Sequence, residues 1–405
     1  MRELSIYIHI PFCVRKCLYC DFLSGKPKGN SMSDYAHALI NEIKNAGAYA
    51  KDFTVETVFI GGGTPSIYGS NVISDIINTL RDAFESVRKG SFAPSEVTME
   101  CNPGTVDVDK LILYKKCGIN RISLGLQSAN YEELKMLGRI HRYEDWVNSV
   151  ISARKAGFDN INVDLMSGLP GQSRESFADT LRKVLEYETE HISVYSLIVE
   201  ENTPFYNMYN PDNMTDEQYD EWEREDRAIY DMTYDTLLSH GYRQYEISNY
   251  AKPGFACKHN LVYWNRGDYL GLGLGSSSMI GDIRFKNCTS LKKYMDYYSK
   301  SGAGAGTRLH AASLPDTLYM NTLHEDVQKL TGEEQMSEHV MLGLRKTEGI
   351  DIHEFDERYN ADFMNQYREQ IKKWTDAGML EFTQGRICCT RRGLSVSNAI
   401  IVDFM

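Results

Sequence analysis

The sequence predicts an α/β fold: a partial barrel of six strand/helix units, followed by an additional C-terminal α+β module of winged-helix-like order. Two observations predict it. Strand-like and helix-like segments alternate through the first half of the chain, the rhythm of a parallel sheet with crossover helices. Within the strands, apolar and polar residues alternate, which places one set under the helices and the other on the opposite face. A chain of 405 residues with 42% hydrophobic and 25% charged residues is long enough to bury a large core.

The first strand candidate, Leu4–Ile10, sets Leu4, Ile6, Ile8 and Ile10 against Ser5, Tyr7 and His9. Helical periodicity follows over Ser33–Ala50, then a strand at Thr57–Ile60 and a helix at Ser70–Val87. The next pairs are Glu96–Glu100 with Asp107–Cys117, Arg121–Gln127 with Tyr143–Ala156, and Asn160–Met166 with Ser173–Tyr187; His191–Ile198 is the sixth strand. Buried parallel strands usually read as continuous apolar runs, so this alternation predicts a polar lumen that is wet or holds a ligand. Glu100, Gln127 and Asp164 fall at strand C-terminal ends, where α/β folds place their sites.

After residue 198 the rhythm breaks. Residues 204–226 are rich in Tyr, Asn, Asp and Glu and precede a helix near Glu225–Leu238. Ser299–Ser313, with Gly-Ala-Gly-Ala-Gly, reads as a linker. Beyond it come helices at Glu333–Leu344 and Ile352–Ala377, then a hairpin over Met379–Thr390 turning at Gln384-Gly385. The expected organisation is a barrel over residues 1–205, an extension over 206–300 and a C-terminal domain over 314–405.

A net charge of −12 argues against general nucleic-acid binding. No apolar run approaches membrane-spanning length and no signal segment opens the chain. The expectation is a cytoplasmic protein without a membrane span, with contact at a membrane surface left open. The nine cysteines are then expected to be reduced.

Cys13, Cys17 and Cys20 carry the chemistry. Their spacing is C-x3-C-x2-C, with no fourth cysteine nearby. Structural zinc wants four ligands, and His9 or Asp21 would complete the set only at unusual spacings. A four-iron cluster held by three thiolates keeps one iron open for another ligand. Gly61-Gly-Gly-Thr-Pro-Ser66 follows the second strand; it reads as a tight turn or as a backbone made for close approach to a ligand.

The cysteine motif, after a strand that opens a β/α array, resembles the radical S-adenosylmethionine (radical SAM) superfamily. That resemblance implies a [4Fe-4S] cluster on Cys13, Cys17 and Cys20, with S-adenosylmethionine at the open iron. Tyr7–Cys13, Gly61–Pro65, Glu100–Pro103, Ser123–Ser128, Leu137–His141 and Asp164–Gln172 resemble the oxygen-independent coproporphyrinogen III oxidases and their relatives. The similarity implies that Tyr7, Tyr19, Gly62, Gly63, Thr64, Glu100, Gln127, Arg139 and Asp164 contact S-adenosylmethionine. A structural ion-pair network is the competing reading for Glu100, Arg139 and Asp164.

The oxidases carry a fourth cysteine where this chain has Phe22, and an extension ahead of the first strand. Both departures point to a sister group, the HemW-type heme chaperones, whose His-Asn-x-x-Tyr-Trp signature resembles His259-Asn-Leu-Val-Tyr-Trp264. That implies heme binding involving His259, Tyr263 and Trp264, and heme-accepting proteins as partners. Imidazole suits heme iron and the aromatic rings suit a porphyrin face; a hydrogen-bonded structural histidine is the alternative. Cys257 is a second candidate ligand. The alternative functions are coproporphyrinogen III oxidation and radical chemistry on heme itself. Gly271–Ser278 resembles the family stretch near the adenine of S-adenosylmethionine, and a glycine-rich bulge explains it equally.

Overall fold

The computed structural model describes residues 1–300 and 321–405. Six parallel strands follow the predicted order: β1 (Arg2–Ile10), β2 (Phe53–Gly62), β3 (Phe92–Cys101), β4 (Arg121–Gln127), β5 (Ile161–Ser167) and β6 (His191–Ser196). The helices between them are α1 (Ser31–Ala46), α2 (Ser70–Glu85), α3 (Val108–Cys117), α4 (Tyr131–Met136), α5 (Tyr143–Lys155) and α6 (Arg174–Leu185). The short α4 lies where the sequence suggested no element.

The segment after β6 holds α7 (Pro204–Tyr209), α8 (Asp216–Ser239), β7 (Arg243–Gln244), β8 (Asn249–Ala251) and α9 (Lys258–Trp264). Then come β9 (Tyr269–Leu272), β10 (Ser277–Ile280), β11 (Ile283–Asn287), α10 (Leu291–Lys300) and β12 (His324–Lys329). Among the described residues the main sheet has the order β12-β11-β10-β9-β1-β2-β3-β4-β5-β6-β8-β7. It is a partial barrel: the sheet curves but does not close. β9 runs parallel to β1, pairing Ser5 with Tyr269 through Ile8 with Leu272. The parallel array therefore gains a seventh strand from the region expected to extend the barrel. The linker expected at Ser299–Ser313 begins inside α10 and otherwise lies outside the described residues.

The apolar phase of the strands lies under the helices as expected. Leu4, Ile6, Ile8 and Ile10, with Ile122, Leu124, Leu126, Ile161, Val163 and Leu165, are fully buried in one continuous core. Burying such side chains contributes about 2 kcal/mol each before conformational entropy is counted.

The polar phase departs from expectation, because much of the lumen is packed rather than wet. Ser5, Thr57, Thr98, Arg121, Ser123 and Asn162 are all buried. α9 fills the lower lumen: its His259 touches Thr57 of β2, and Glu96 of β3 accepts the backbone N–H groups of Lys258 and His259 at 3.0 and 3.1 Å. The end toward the strand C-termini holds an open cavity.

The C-terminal part has its own hydrophobic cluster, including Val340, Phe355, Phe363, Ile387 and Phe404. It comprises α11 (Gly332–Gly343), β13 (Ile350–Asp351), α12 (Ile352–Tyr359), α13 (Phe363–Gln366), α14 (Arg368–Asp376), β14 (Leu380–Thr383), β15 (Arg386–Cys389), α15 (Arg391–Leu394) and α16 (Ser397–Phe404). The helix predicted over Ile352–Ala377 is broken into three. Asn360 ends α12 in the left-handed conformation, and Asp356 accepts the backbone N–H of Phe363 at 2.7 Å. The hairpin turns at Gln384-Gly385, both with positive φ, as a two-residue turn demands. The cluster docks beneath the barrel beside α9, through Glu338 with Arg266 at 3.1 Å and Arg284 at 2.8 Å.

Candidate functional site

The open end of the lumen is a cavity of about 320 Å³. Cys13, Cys17 and Cys20, on the loop after β1, line it together with Tyr19, Phe22, Gly62, Gly63, Thr64, Glu100, Gln127, Arg139 and Asp164. Of the residues predicted to hold S-adenosylmethionine, only Tyr7 is not in this wall. Its hydroxyl pairs with His9 Nδ1 at 3.0 Å. Nor does Gly271–Ser278 line the cavity: Gly273 donates its N–H to buried Glu42 at 2.6 Å, behind β1.

The cavity is built by stitching loops together. Gly63 donates to the carbonyl of Ile10 at 2.7 Å and Thr64 to that of Phe12 at 2.8 Å, which ties the glycine run to the cysteine loop. This approach needs glycine. A Cβ on Gly63 would stand 2.5 Å from the Phe12 carbonyl oxygen, and Gly62 has φ +110 with its Cβ position 2.5 Å from the His9 ring. Leu18 donates to Leu137 and accepts from Phe205, both at 3.0 Å. Gln127 sits at φ 71, an uncommon left-handed conformation of the kind that concentrates at ligand sites.

A chain of donors leads to the thiols. Arg139 Nη1 donates to Cys17 Sγ at 3.5 Å and to Asn102 Oδ1 at 3.3 Å. Asn102 Nδ2 donates to Thr64 Oγ1 at 2.8 Å, and Thr64 Oγ1 donates to Cys13 Sγ at 3.5 Å. Among the described residues, no three His, Cys, Asp or Glu side chains converge as a single-ion site.

Two carboxyls face the thiols across the cavity. Burial, and secondarily the neighbouring Asp164, push Glu100 up to about 8. Its Oε2 accepts the Gly62 N–H at 3.0 Å. Burial also raises Asp164, against hydrogen bonds from Ser123 at 2.8 Å and Asn162 at 2.8 Å. Neither carboxylate forms an ion pair with Arg139, whose buried Nε has no partner. The structural ion-pair reading of Glu100, Arg139 and Asp164 thus finds no support. Two carboxyls and one guanidinium, which also donates to the Gly125 carbonyl at 2.9 Å, line one cavity.

Asn102, Ser123 and Met166 lie inside the quoted motifs but outside the expected S-adenosylmethionine contacts, and they line the cavity together with Tyr195, which no motif contains. The polar phase of β4 and β6 was the available signal for Ser123 and Tyr195.

His259 lies on the lumen floor, away from this cavity, and is 1% exposed. It shares a face of α9 with Tyr263. Its Nε2 meets the Tyr263 hydroxyl at 2.8 Å and its Nδ1 meets Thr57 Oγ1 at 2.8 Å. Because Thr57 donates to Ser5 Oγ at 2.7 Å, the consistent tautomer carries the proton on Nδ1 and accepts Tyr263 O–H at Nε2. Burial, reinforced by Arg121, drops His259 to about 3, so it is neutral. The ring packs against Phe59, centroids 5.3 Å apart. Cys257 is fully buried and donates to Glu96 at 3.3 Å. Trp264 is half-buried at the end of α9.

Residues 7–184 match the model of the Radical SAM superfamily, and residues 330–396 match that of the HemN C-terminal domain. The chain is 33% identical to "Heme chaperone HemW" of Bacillus subtilis over 99% of both chains. It is 42% identical to the protein of that name from Escherichia coli, over 69% of this chain and 71% of that one. For the Lactococcus lactis protein of the same name the figures are 32%, 99% and 97%. In fold it is similar to the structure described as "Coproporphyrinogen III oxidase (HemN) from Escherichia coli", with TM-score 0.77, 24% identity, and coverage of 100% of this chain and 90% of that one. No described helix is long and apolar enough to cross a membrane. With cysteine loop, cavity and C-terminal module all accounted for along the full length, the chain belongs to the HemW family of the radical SAM superfamily.

Proposed function

We propose that this protein is a heme chaperone, which binds heme and passes it to acceptor proteins. In this reading Cys13, Cys17 and Cys20 hold a [4Fe-4S] cluster, and S-adenosylmethionine occupies the cavity beside it. When bound, the cluster supplies an iron with a free coordination position and a source of single electrons. The chain's own residues do the rest. Glu100 and Asp164 present carboxyls to a cationic group, Arg139 presents a guanidinium to an anionic one, and the Gly61–Pro65 backbone lies against the ligand. Thr64 and Arg139 orient the thiolates.

The observation that carries the chaperone reading is end-to-end likeness to proteins named heme chaperones, joined to Phe22 at the position where the oxidases carry cysteine. Phe22, which lines the cavity, is 66% exposed, and Val14 and Ile140, which line an adjoining concavity on the other side of Cys17 and Arg139, are 53% and 61% exposed. Exposed apolar side chains on this face suit a flat apolar cargo. Heme ligation by His259 belongs to the same proposal and requires α9 to release the ring from Tyr263.

Reconstituted protein, kept anaerobic, is given coproporphyrinogen III, S-adenosylmethionine and a reductant, and separately heme followed by a heme-free acceptor haemoprotein. The expected result is no protoporphyrinogen, a Soret band on heme addition, and movement of that band to the acceptor. Turnover of coproporphyrinogen III would replace the chaperone reading with the oxidase one.

A further inference from the structure

A second concavity, of about 470 Å³, lies beside the cavity mouth between the β6 end and α8. Leu169, Leu197, Val199, Tyr209, Met214 and Trp222 make its surface mainly apolar. Trp222 is held in place by its indole N–H, which donates to the Gly168 carbonyl at 3.0 Å. The α8 helix is acidic: from Asp216 to Asp226 the sequence holds seven carboxylates and one arginine, of which Glu221 and Glu225 line the groove, Glu225 paired with Arg174 at 3.6 Å. Asp216, Glu217, Asp220, Glu221 and Glu223 are exposed, and none forms an ion pair among the described residues. An acidic helix beside an apolar trough repels the propionates of heme and attracts a cation.

The back of this groove is the cysteine loop. Leu169, Leu197 and Phe205 are buried in one cluster with Leu137 and Met166, and Leu18, Tyr19, Val199 and Tyr209 pack against it. Tyr19 stands between Cys17 and Cys20. Anything seated in the groove therefore presses on the side chains that shape the cofactor cavity.

We infer that this groove is the docking site for a basic, amphipathic segment of a partner protein, with apolar side chains in the trough and lysines or arginines along α8. Docking energy would come from a few buried anchors, and charge would steer and select. Taking that partner to be the heme acceptor rests on the chaperone reading; the groove itself does not.

The test uses the full-length protein and three short fluorescein-labelled peptides: lysine with leucine, glutamate with leucine, and lysine with serine. Anisotropy reports binding, and Trp222 emission, assigned with Trp222→Phe, reports the groove. Only the lysine/leucine peptide is expected to bind and shift Trp222. Its Kd rises about tenfold in the exposed triple variant Glu217→Lys/Asp220→Lys/Glu221→Lys, and severalfold when salt is raised from low to physiological strength. Equal binding of the glutamate/leucine or lysine/serine peptide, or indifference to the triple variant, overturns the proposal. So does competition by heme, which would make the groove a heme site. These readouts need neither cluster nor heme. Peptide binding without heme transfer would leave the groove standing and remove the chaperone reading.

Discussion

Replacing His259 with phenylalanine tests how far the lumen floor depends on one imidazole. The phenyl ring keeps the packing against Phe59 and removes two hydrogen bonds, to Thr57 and Tyr263, each at 2.8 Å. Two bonds at about 1 kcal/mol net, plus the cost of a buried Tyr263 hydroxyl left without its acceptor, give about 3 kcal/mol. That is about a hundredfold in the equilibrium between closed and open α9. Native-state hydrogen exchange on the cluster-free protein is the direct assay, since local opening is resolved residue by residue. Amides of residues 261–264 are expected to exchange about a hundredfold faster than in the wild type, while strands β4 and β5 are unchanged. Wild-type exchange in this variant would refute the reasoning, because α9 would then be held by Glu96 and packing alone.

Two further outcomes follow from the geometry. Glu246 is 1% exposed, and burial pushes it up to about 7. Its neutral form is the one the fold prefers, so its contribution is complete below the ordinary glutamate value and is lost as pH rises through about 7. Relative to Glu246→Gln, denaturant unfolding should show the wild type losing up to about 3 kcal/mol between pH 4.5 and 8; parallel profiles would show that Glu246 is not the titrating group. Gly63→Ala places a methyl 2.5 Å from the Phe12 carbonyl oxygen and 2.9 Å from that of Ile10. It should lower iron and sulfide incorporation on reconstitution with the overall fold intact, as read by iron content and circular dichroism.

The strands of the barrel were legible because each alternates strictly: Ile122, Leu124 and Leu126 of β4 could face only one way. The cavity was legible because glycines, cysteines and strand-end carboxyls mark it within short stretches of chain. Pairings between distant segments were not. Nothing local in Tyr269–Leu272 says that it runs parallel to β1, a contact across more than 260 residues of sequence. Nor does the pattern of Lys258–Trp264 say that it fills the lumen, since its apolar and polar residues meet a surface that is itself mixed. Tyr7 shows the same limit. It lies in the polar phase as read, yet its hydroxyl is turned to His9, an orientation set by the neighbouring strands.

The two readings of His259, structural and heme-binding, meet at one atom. With Nδ1 donating to Thr57, the lone pair lies on Nε2, the form an imidazole needs in order to bind iron. Tyr263 now holds that lone pair. The second nitrogen is already fixed by Thr57, as metal-bound imidazoles are by their outer partners. Tyr263→Phe therefore removes the competitor and leaves the orienting bond. Stability should fall by about 1 kcal/mol, the worth of one hydrogen bond. Heme affinity, from a Soret titration, should rise about fivefold, the same energy expressed as an equilibrium. A variant that loses the stability but binds heme no more tightly would show that Nε2 is not the ligand, and that the His259–Trp264 signature serves the lumen floor alone.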